Sequence, residues 1–317
     1  MHSVGYIGSE GVGTAPPLLM ARGHCQLKVH WPDGAPEPLE DLEAQTVALE
    51  DLADCPIIVL STAIANCRSL ARRLGDVISG RHIVVHTIRG IEADSLKTGS
   101  TILAEETPTR RIGFLTGPME PQDITDDNPA AALCASQFPE VHQLIGQAMN
   151  SERFRLYRSD DLRGAELAAA YGRLISLMSG AADGLHLGTS LQATLFARGL
   201  AEMSRFVNAL GGDHHTPFGI AGAANLHVDT TEPFHPDFEM GRFLTEAPER
   251  GADELRDAFA EPASELLHLL SAFEDVAESK DLALRLLDAV DALLYGELSP
   301  TDAVHHLLTL AALDESQ

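Results

Sequence analysis

Five histidines, His186, His214, His215, His227 and His235, lie between residues 186 and 235 of the chain. Imidazole titrates near neutrality, which makes it the commonest side chain for general acid–base chemistry and a frequent metal ligand. The densest set is Asn225-Leu-His227-Val-Asp229 followed by His235-Pro-Asp237, where a carboxylate could orient an imidazole or complete a metal shell. No HxxxH or HExxH spacing falls on a helical stretch, so no dedicated zinc site and no metal are predicted. The ordinary role of such histidines is on solvated loops, above all His214 and His215 in a GGDHH turn. Two arginines complete the candidates: Arg89 in HTIRGIE and Arg173 in GAELAAAYGRL. A guanidinium there could polarise a carbonyl, bind a carboxylate or neutralise one of the many acids. Lysine chemistry is scarce. Lys28, Lys97 and Lys280 are the lysines, so none stands between residues 97 and 280.

The first half of the chain alternates β-like and helical runs. VGYIG (4–8), QLKVHW (26–31), PIIVLST (56–62), RHIVVHT (81–87), RIGFLT (111–116), AALCASQ (131–137) and FRLYRS (154–159) read as strands, with helical segments between most of them. PIIVLST is continuously apolar, the mark of a strand buried on both faces. Strands separated by helices predict βαβ units and a mostly parallel, doubly wound sheet. After residue 160 the period changes to that of helices at 163–182, 188–211, 252–276, 279–295 and 299–312. Ser299 and Pro300 form a strong start signal for the last of these. The division expected is 1–160 for the α/β domain and 161–317 for an all-helical domain.

Composition narrows the function classes. The 317 residues carry 44% hydrophobic residues, enough for buried cores, and a net charge of −25. That charge argues against nucleic acid or an anionic membrane as a partner, since both require basic patches. The cysteines Cys25, Cys55, Cys67 and Cys134 form no CxxC pair and read as free thiols of a reducing compartment. With no leader-like opening and no apolar run near the roughly 18–20 residues of a spanning helix, a soluble cytoplasmic protein is expected.

Several motifs resemble the bacterial NAD(P)-dependent glycerol-3-phosphate dehydrogenase family. DGLHLGTSLQATLFARGLAEMSRFVNALGG (183–212) is similar to the family's signature helical region. HTIRGIE resembles its T-K-G-I-E turn, RIGFLTGPMEPQDI its strand leading into S-G-P, FRLYRSDDLRGAEL its passage into the helical domain, and YGELSPTDAVHHLL its final helix. The resemblance runs in order over nearly the whole chain. It implies a Rossmann-type doubly wound α/β sheet followed by an all-α domain, a 6-phosphogluconate-dehydrogenase-like arrangement. It also implies NAD or NADP as cofactor, a small-molecule ligand, and a homodimer.

The same resemblance assigns roles, and many of the positions depart from it. In VGYIGSEGVGTAPPLLMARGH, Gly8 and Gly13 take the first and third glycine places of the dinucleotide fingerprint. Glu10 takes the second, where it adds bulk and negative charge beside the pyrophosphate; a register using Gly11 does not restore the pattern. Asp33 is the candidate acid for the adenosine ribose. Pro16 and Pro17 either fall one turn inside the first helix, at about 3 kcal/mol, or delay its start and turn its dipole from the phosphate site. Gly172 stands at the catalytic lysine, Arg173 at an asparagine, and Arg89 at the lysine of the T-K-G turn. Asn225 stands at the catalytic aspartate, and Pro236 and Asp237 at the Arg-Asn pair that grips substrate phosphate, with His235 beside them. Cofactor binding is expected to be weakened or lost.

Three functions are compatible with this pattern. The favoured one is a family member impaired or inactive in reducing dihydroxyacetone phosphate, with a non-catalytic binding role. The second is an NAD(P)-dependent oxidoreductase for a different, non-phosphorylated substrate, using His227 or Arg173 in place of the lysine. The least favoured is an ordinary glycerol-3-phosphate dehydrogenase.

Overall fold

The computed structural model of the chain describes residues 3–8, 13–23, 25–32, 42, 44–92, 95–231, 235–247 and 250–309. The chain divides into two compact units, Met1–Leu167 and Ala168–Gln317.

The first unit contains strands β1 (Ser3–Ile7), β2 (Gln26–His30), β3 (Gln45–Thr46), β4 (Ile57–Leu60), β5 (Ile83–His86), β6 (Ile112–Thr116), β7 (Ala130–Ala135) and β8 (Phe154–Ser159). Between them run α1 (Ala15–Arg22), α2 (Ile64–Gly75), α3 (Gly99–Glu106), α4 (Pro121–Thr125) and α5 (Pro139–Met149). One sheet results, in the order β3-β2-β1-β4-β5-β6-β7-β8. Every neighbouring pair is parallel except β6–β7. The expected doubly wound α/β class is therefore the observed one, with a single antiparallel seam.

Alternation along the strands builds a core on each face. Val4, Tyr6, Leu27, Val29 and Trp31 pack on one side with Leu19 and Met20 of α1 and Ile145 of α5. Ile7, Ile58, Leu60 and Val84 pack on the other with Leu70 and Leu74 of α2 and Ile102 of α3. Strand order reverses between β1 and β4, and ligands of such sheets bind outside the carboxyl ends of the strands at that point. The residues that follow β1, β2, β4 and β5 thus frame the candidate crevice.

The prolines of α1 do not break it. The helix starts at Ala15, so Pro16 and Pro17 occupy its first turn, where an N–H has no intrahelical acceptor to lose. Of the two placements open from sequence, the later start is the one adopted.

Helix α6 (Leu162–Gly184) crosses the division between the units. The second unit continues with α7 (Thr189–Ala209), α8 (Asn225–Thr231), α9 (Pro236–Thr245), α10 (Ala252–Lys280), α11 (Arg285–Leu294) and α12 (Pro300–Thr309), and a π-turn (Ile220–Ala224) leads into α8. Helix α10 is longer than its sequence period suggests, and it is broken at Ala260 (φ 49°) just before Pro262, whose ring and missing N–H oppose a continuous helix. The start expected near 279 moves to Arg285. Ser299 caps α12 as expected, its Oγ accepting the Asp302 N–H at 3.1 Å.

Two features fix the packing of this unit. Gly180 of α6 and Gly241 of α9 allow backbone-to-backbone approach: a Cβ on Gly180 would lie 2.0 Å from Phe238 O, and one on Gly241 1.9 Å from Leu177 O. The second is Glu202 of α7. Its Oε1 accepts the Tyr171 hydroxyl at 2.6 Å and the Leu286 and Leu287 N–H groups of α11 at 2.9 and 3.3 Å. Burial nevertheless pushes its pKa up, with the nearby donors opposing. No helix among the described residues is long and apolar enough to cross a membrane.

Candidate active site

The crevice of the first unit is framed by Gly8 after β1, Trp31 after β2, Ser61 after β4 and Thr87 after β5. Gly8 donates its N–H to His30 O at 3.2 Å. The Trp31 ring lies directly on it, so that a Cβ at Gly8 would sit 1.8 Å from the indole Cζ3. Glycine is required there by the indole. Trp31 is 7% exposed and tilts against Tyr6, with centroids 5.2 Å apart. Its Nε1–H is buried with no acceptor among the described residues, a loss of about 1–3 kcal/mol. Tyr6 is fully buried, and burial pushes its phenol pKa up, so the hydroxyl keeps its proton and donates to Gly13 O. Gly13 has φ +66°, and a Cβ there would meet Ser61 Oγ at 2.7 Å, so this position is also restricted to glycine. Glu10, Gly11 and Asp33 lie outside the described residues.

A Rossmann crevice holds a pyrophosphate on the free N–H groups of the first helix. In α1 the second and third positions are Pro16 and Pro17, so two of those donors do not exist, and the Thr14 side chain makes no cap bond. Of the two alternatives read from sequence, a broken helix and a delayed start, the structure adopts the delayed start, with the prolines removing two first-turn N–H groups.

Arg89 lies partly buried in the turn after β5. The end of that turn is fastened by ions: Glu92 takes two bonds from Arg68, both 2.7 Å, and one from Ser95. The Arg68 bonds hold the Glu92 pKa down, to about 2, against a smaller effect of burial. Arg68 also meets Glu105 at 3.1 Å and Glu106. Beneath the turn, His86 is wholly buried; its Nδ1 accepts the Ile88 N–H at 3.2 Å, which puts the proton of the neutral ring on Nε2. Nε2 faces Ser100 Oγ at 2.9 Å and Glu166 Oε1 at 3.2 Å, and Glu166 accepts the Ser100 N–H at 2.9 Å. Serine and carboxylate share one ring nitrogen, so this is a packing network and not a nucleophile relay, in which the carboxylate would hold the other nitrogen. Neither His86 nor Glu166 was singled out from sequence.

In the second unit, Gly172 is buried in α6 and Asn225 is buried at the start of α8. Arg173 is 7% exposed and grips Asp237 of α9 through three contacts, Nε to Oδ2 at 3.0 Å, Nη2 to Oδ1 at 3.0 Å and Nε to Oδ1 at 3.2 Å. Glu265 of α10 lies 3.5 Å from Nη1. Burial opposes the charge, but Asp237 outweighs it and the guanidinium pKa rises. Pro236 is the first residue of α9, where a proline costs no hydrogen bond. His235, just before it, reaches Asp229 Oδ1 with Nε2 at 3.2 Å, and its Nδ1 lies 4.0 Å from Asp237 Oδ2. Four helices thus bring Arg173, Asp229, Asp237 and Glu265 together with His235. Of the roles open to Arg173, the ion pair is the one its geometry fills.

His227 does not join this group. Asn225, Leu226 and Asp229 turn inward on α8, which leaves His227 exposed on the outer face. His186 is exposed in the α6–α7 loop. Asp213, His214 and His215 form an exposed turn whose ligand atoms lie within 4.8 Å of one another. Glu265 went unnoticed because it sits in the acidic pattern of a long amphipathic helix. A depression of about 600 Å³ lined by Gly251, Leu294, Tyr295 and Ser299 contains none of the candidate residues.

A doubly wound sheet whose switch point adjoins a glycine turn, followed by a helical unit, is the build of a Rossmann-type dehydrogenase. The NAD-dependent glycerol-3-phosphate dehydrogenase N-terminus family matches residues 36–142, and the corresponding C-terminus family matches residues 161–305. A glycerol-3-phosphate dehydrogenase [NAD(P)+] of Rhizobium etli is 32% identical over 270 residues, covering 85% of this chain and 80% of the relative. One from Synechococcus is 28% identical over 308 residues, 96% of this chain and 97% of the relative. The crystal structure of glycerol-3-phosphate dehydrogenase from Coxiella burnetii superposes with a TM-score of 0.85 at 23% identity, over 97% of this chain and 99% of that one. The chain belongs to the NAD-dependent glycerol-3-phosphate dehydrogenase family.

Proposed function

We propose that this chain is a diverged member of its family, impaired or inactive in the NAD(P)-dependent reduction of dihydroxyacetone phosphate, and serving a non-catalytic binding role. The observation that carries this reading is the Arg173–Asp237 pair. The family resemblance assigns Asp237 to the arginine-containing phosphate clamp, and here a buried carboxylate stands there, already held by Arg173. An incoming phosphate would meet negative charge with its cation engaged. Gly172 supplies no proton donor at the position of the lysine, and Asn225 no carboxylate. The two missing donors of α1 support weakened or lost dinucleotide binding. In this reading residues 1–160 act as a dinucleotide-binding-like domain and residues 161–317 as the domain for ligand and dimerisation, in a soluble cytoplasmic homodimer.

A second reading has its own support. Relatives above 30% identity bear the name of the ordinary enzyme, and this chain would then reduce dihydroxyacetone phosphate despite its replaced residues. One assay separates the two. Purified chain is mixed with dihydroxyacetone phosphate and NADH or NADPH, and nucleotide oxidation is followed. Turnover of about 1–1000 per second would overturn the proposal. Turnover at background, unrescued by Gly172→Lys, is the expected result, because Asn225, Pro236 and Asp237 remain.

A further inference from the structure

We infer that Asp213, His214 and His215 form a binding site for a divalent transition cation of the zinc type, which restrains the segment between the end of α7 and the π-turn leading into α8. The site is independent of whether the chain reduces dihydroxyacetone phosphate.

The lack of HxxxH and HExxH spacings counts against a zinc site on a helix, but three consecutive donors on a turn converge by another route. The chain leaves α7 at Ala209, passes Gly211 with φ +84° and enters a short 3-10 turn, Thr216–Phe218. The backbone between them is tied at both ends. Ser204 of α7 donates its hydroxyl to His214 O at 2.7 Å, and the Phe218 N–H goes to His215 O at 3.0 Å. Asp213 folds the middle: its Oδ1 accepts the His215 N–H at 2.9 Å and its carbonyl accepts the Thr216 N–H at 3.0 Å. The two imidazoles consequently lie together, with centroids 3.9 Å apart, and His214 Nδ1 stands 3.6 Å from Asp213 Oδ1. One ligand atom from each of the three residues lies within 4.8 Å of the others.

A tetrahedral zinc holds nitrogen and oxygen ligands at about 2.0–2.2 Å, so its neighbouring donors stand about 3.3 Å apart. The Asp213–His214 pair is already close to that separation. All three side chains are exposed, and small rotations bring the third donor in. Donor chemistry selects the cation. Two imidazole nitrogens with one carboxylate suit zinc, nickel or copper, whereas magnesium and calcium prefer shells of oxygen. Two imidazoles this close repel when both are protonated, but a shared cation takes one lone pair from each. Three protein donors leave at least one position to water, which makes the site one of moderate affinity and not a closed four-ligand cage.

The test uses the untagged full chain, stripped with a chelator and titrated with ZnCl2 by calorimetry. His214→Ala, His215→Ala and the double variant are treated alike, with circular dichroism melts to establish folding; substitutions at exposed positions are expected to leave the fold intact. Wild type is expected to bind one Zn2+ in the micromolar range and to melt at a higher temperature with it. Each single variant should bind at least about tenfold more weakly, and the double variant should show no zinc-dependent rise in melting temperature. MgCl2 should produce neither effect. Zinc binding by the double variant as tight as by wild type would place the cation elsewhere among the 14 histidines and overturn the site. Wild-type binding confined to the millimolar range, or matched by magnesium, overturns it as well.

Discussion

The crevice of the first unit and the charged layer of the second are filled in different ways. In the second unit a buried cation, Arg173, meets a buried anion, Asp237, at hydrogen-bonding distance, and His235 and Asp229 close the group. In the first unit the Trp31 indole packs on Gly8 with its Nε1–H left without an acceptor among the described residues. The Arg173 guanidinium is thus held by direct pairing with Asp237, whereas the indole is held by its shape. The difference teaches that a buried polar side chain can be fixed by its partners or by the packing of its apolar body.

The largest expected effect attacks that contrast directly. Arg173→Met removes the guanidinium that grips the buried Asp237, and should lower stability by about 3–5 kcal/mol in urea denaturation. Adding Asp237→Leu to it should recover more than half of that loss. If Arg173→Met costs under about 1 kcal/mol, the pair is not what holds the layer, and the comparison fails.

A smaller effect tests a partly exposed lock against the buried one. The Glu92 pKa is lowered to about 2 by Arg68. Its contribution is therefore present above pH 4.5, the ordinary glutamate value, and fades as pH falls toward 2. Since the network is partly solvated, Arg68→Gln should cost about 1 kcal/mol at pH 7 and almost nothing near pH 2. A loss that persists undiminished in acid would show that Arg68 acts by packing and not by charge.

The smallest effect marks the limit of compensation within the second unit. Burial and a neighbouring Asp291 push the Glu274 pKa up, to about 7. The folded chain thus holds a proton that the unfolded chain gives up at lower pH, and stability falls as pH rises from 4.5 through 7. Glu274→Gln should raise the melting temperature at pH 8 by a degree or two, equivalent to less than about 1 kcal/mol, and leave it unchanged at pH 4. A gain equal at both pH values would point to something other than ionisation.

Much of the fold was legible because it is written in local periods. The apolar run PIIVLST and the βα alternation located the sheet, and Ser299-Pro300 located the last helix. Candidate site residues could be named from the sequence, but not their arrangement. Arg173 and Asp237 were each singled out, yet they are 64 residues apart, and only the close approach of α6 and α9 at Gly180 and Gly241 joins them. Leu27, Val29 and Trp31 recur at intervals of two, the spacing of one strand face, which already sets the indole at the end of the second strand. For the prolines of α1 both placements stayed open, because the position of Ala15 as the first helical residue cannot be read from propensity. Long-range packing decides such boundaries.

The carboxylate that caps α11 comes from Glu202, 84 residues earlier in the chain. Nearby residues supply no side-chain cap at Leu284. The first turn of α11 is therefore completed by topology and not by its own sequence, and a large loop must close before it is secure. In kinetic terms α11 is expected to be a late element, its start secured only once α7 has docked.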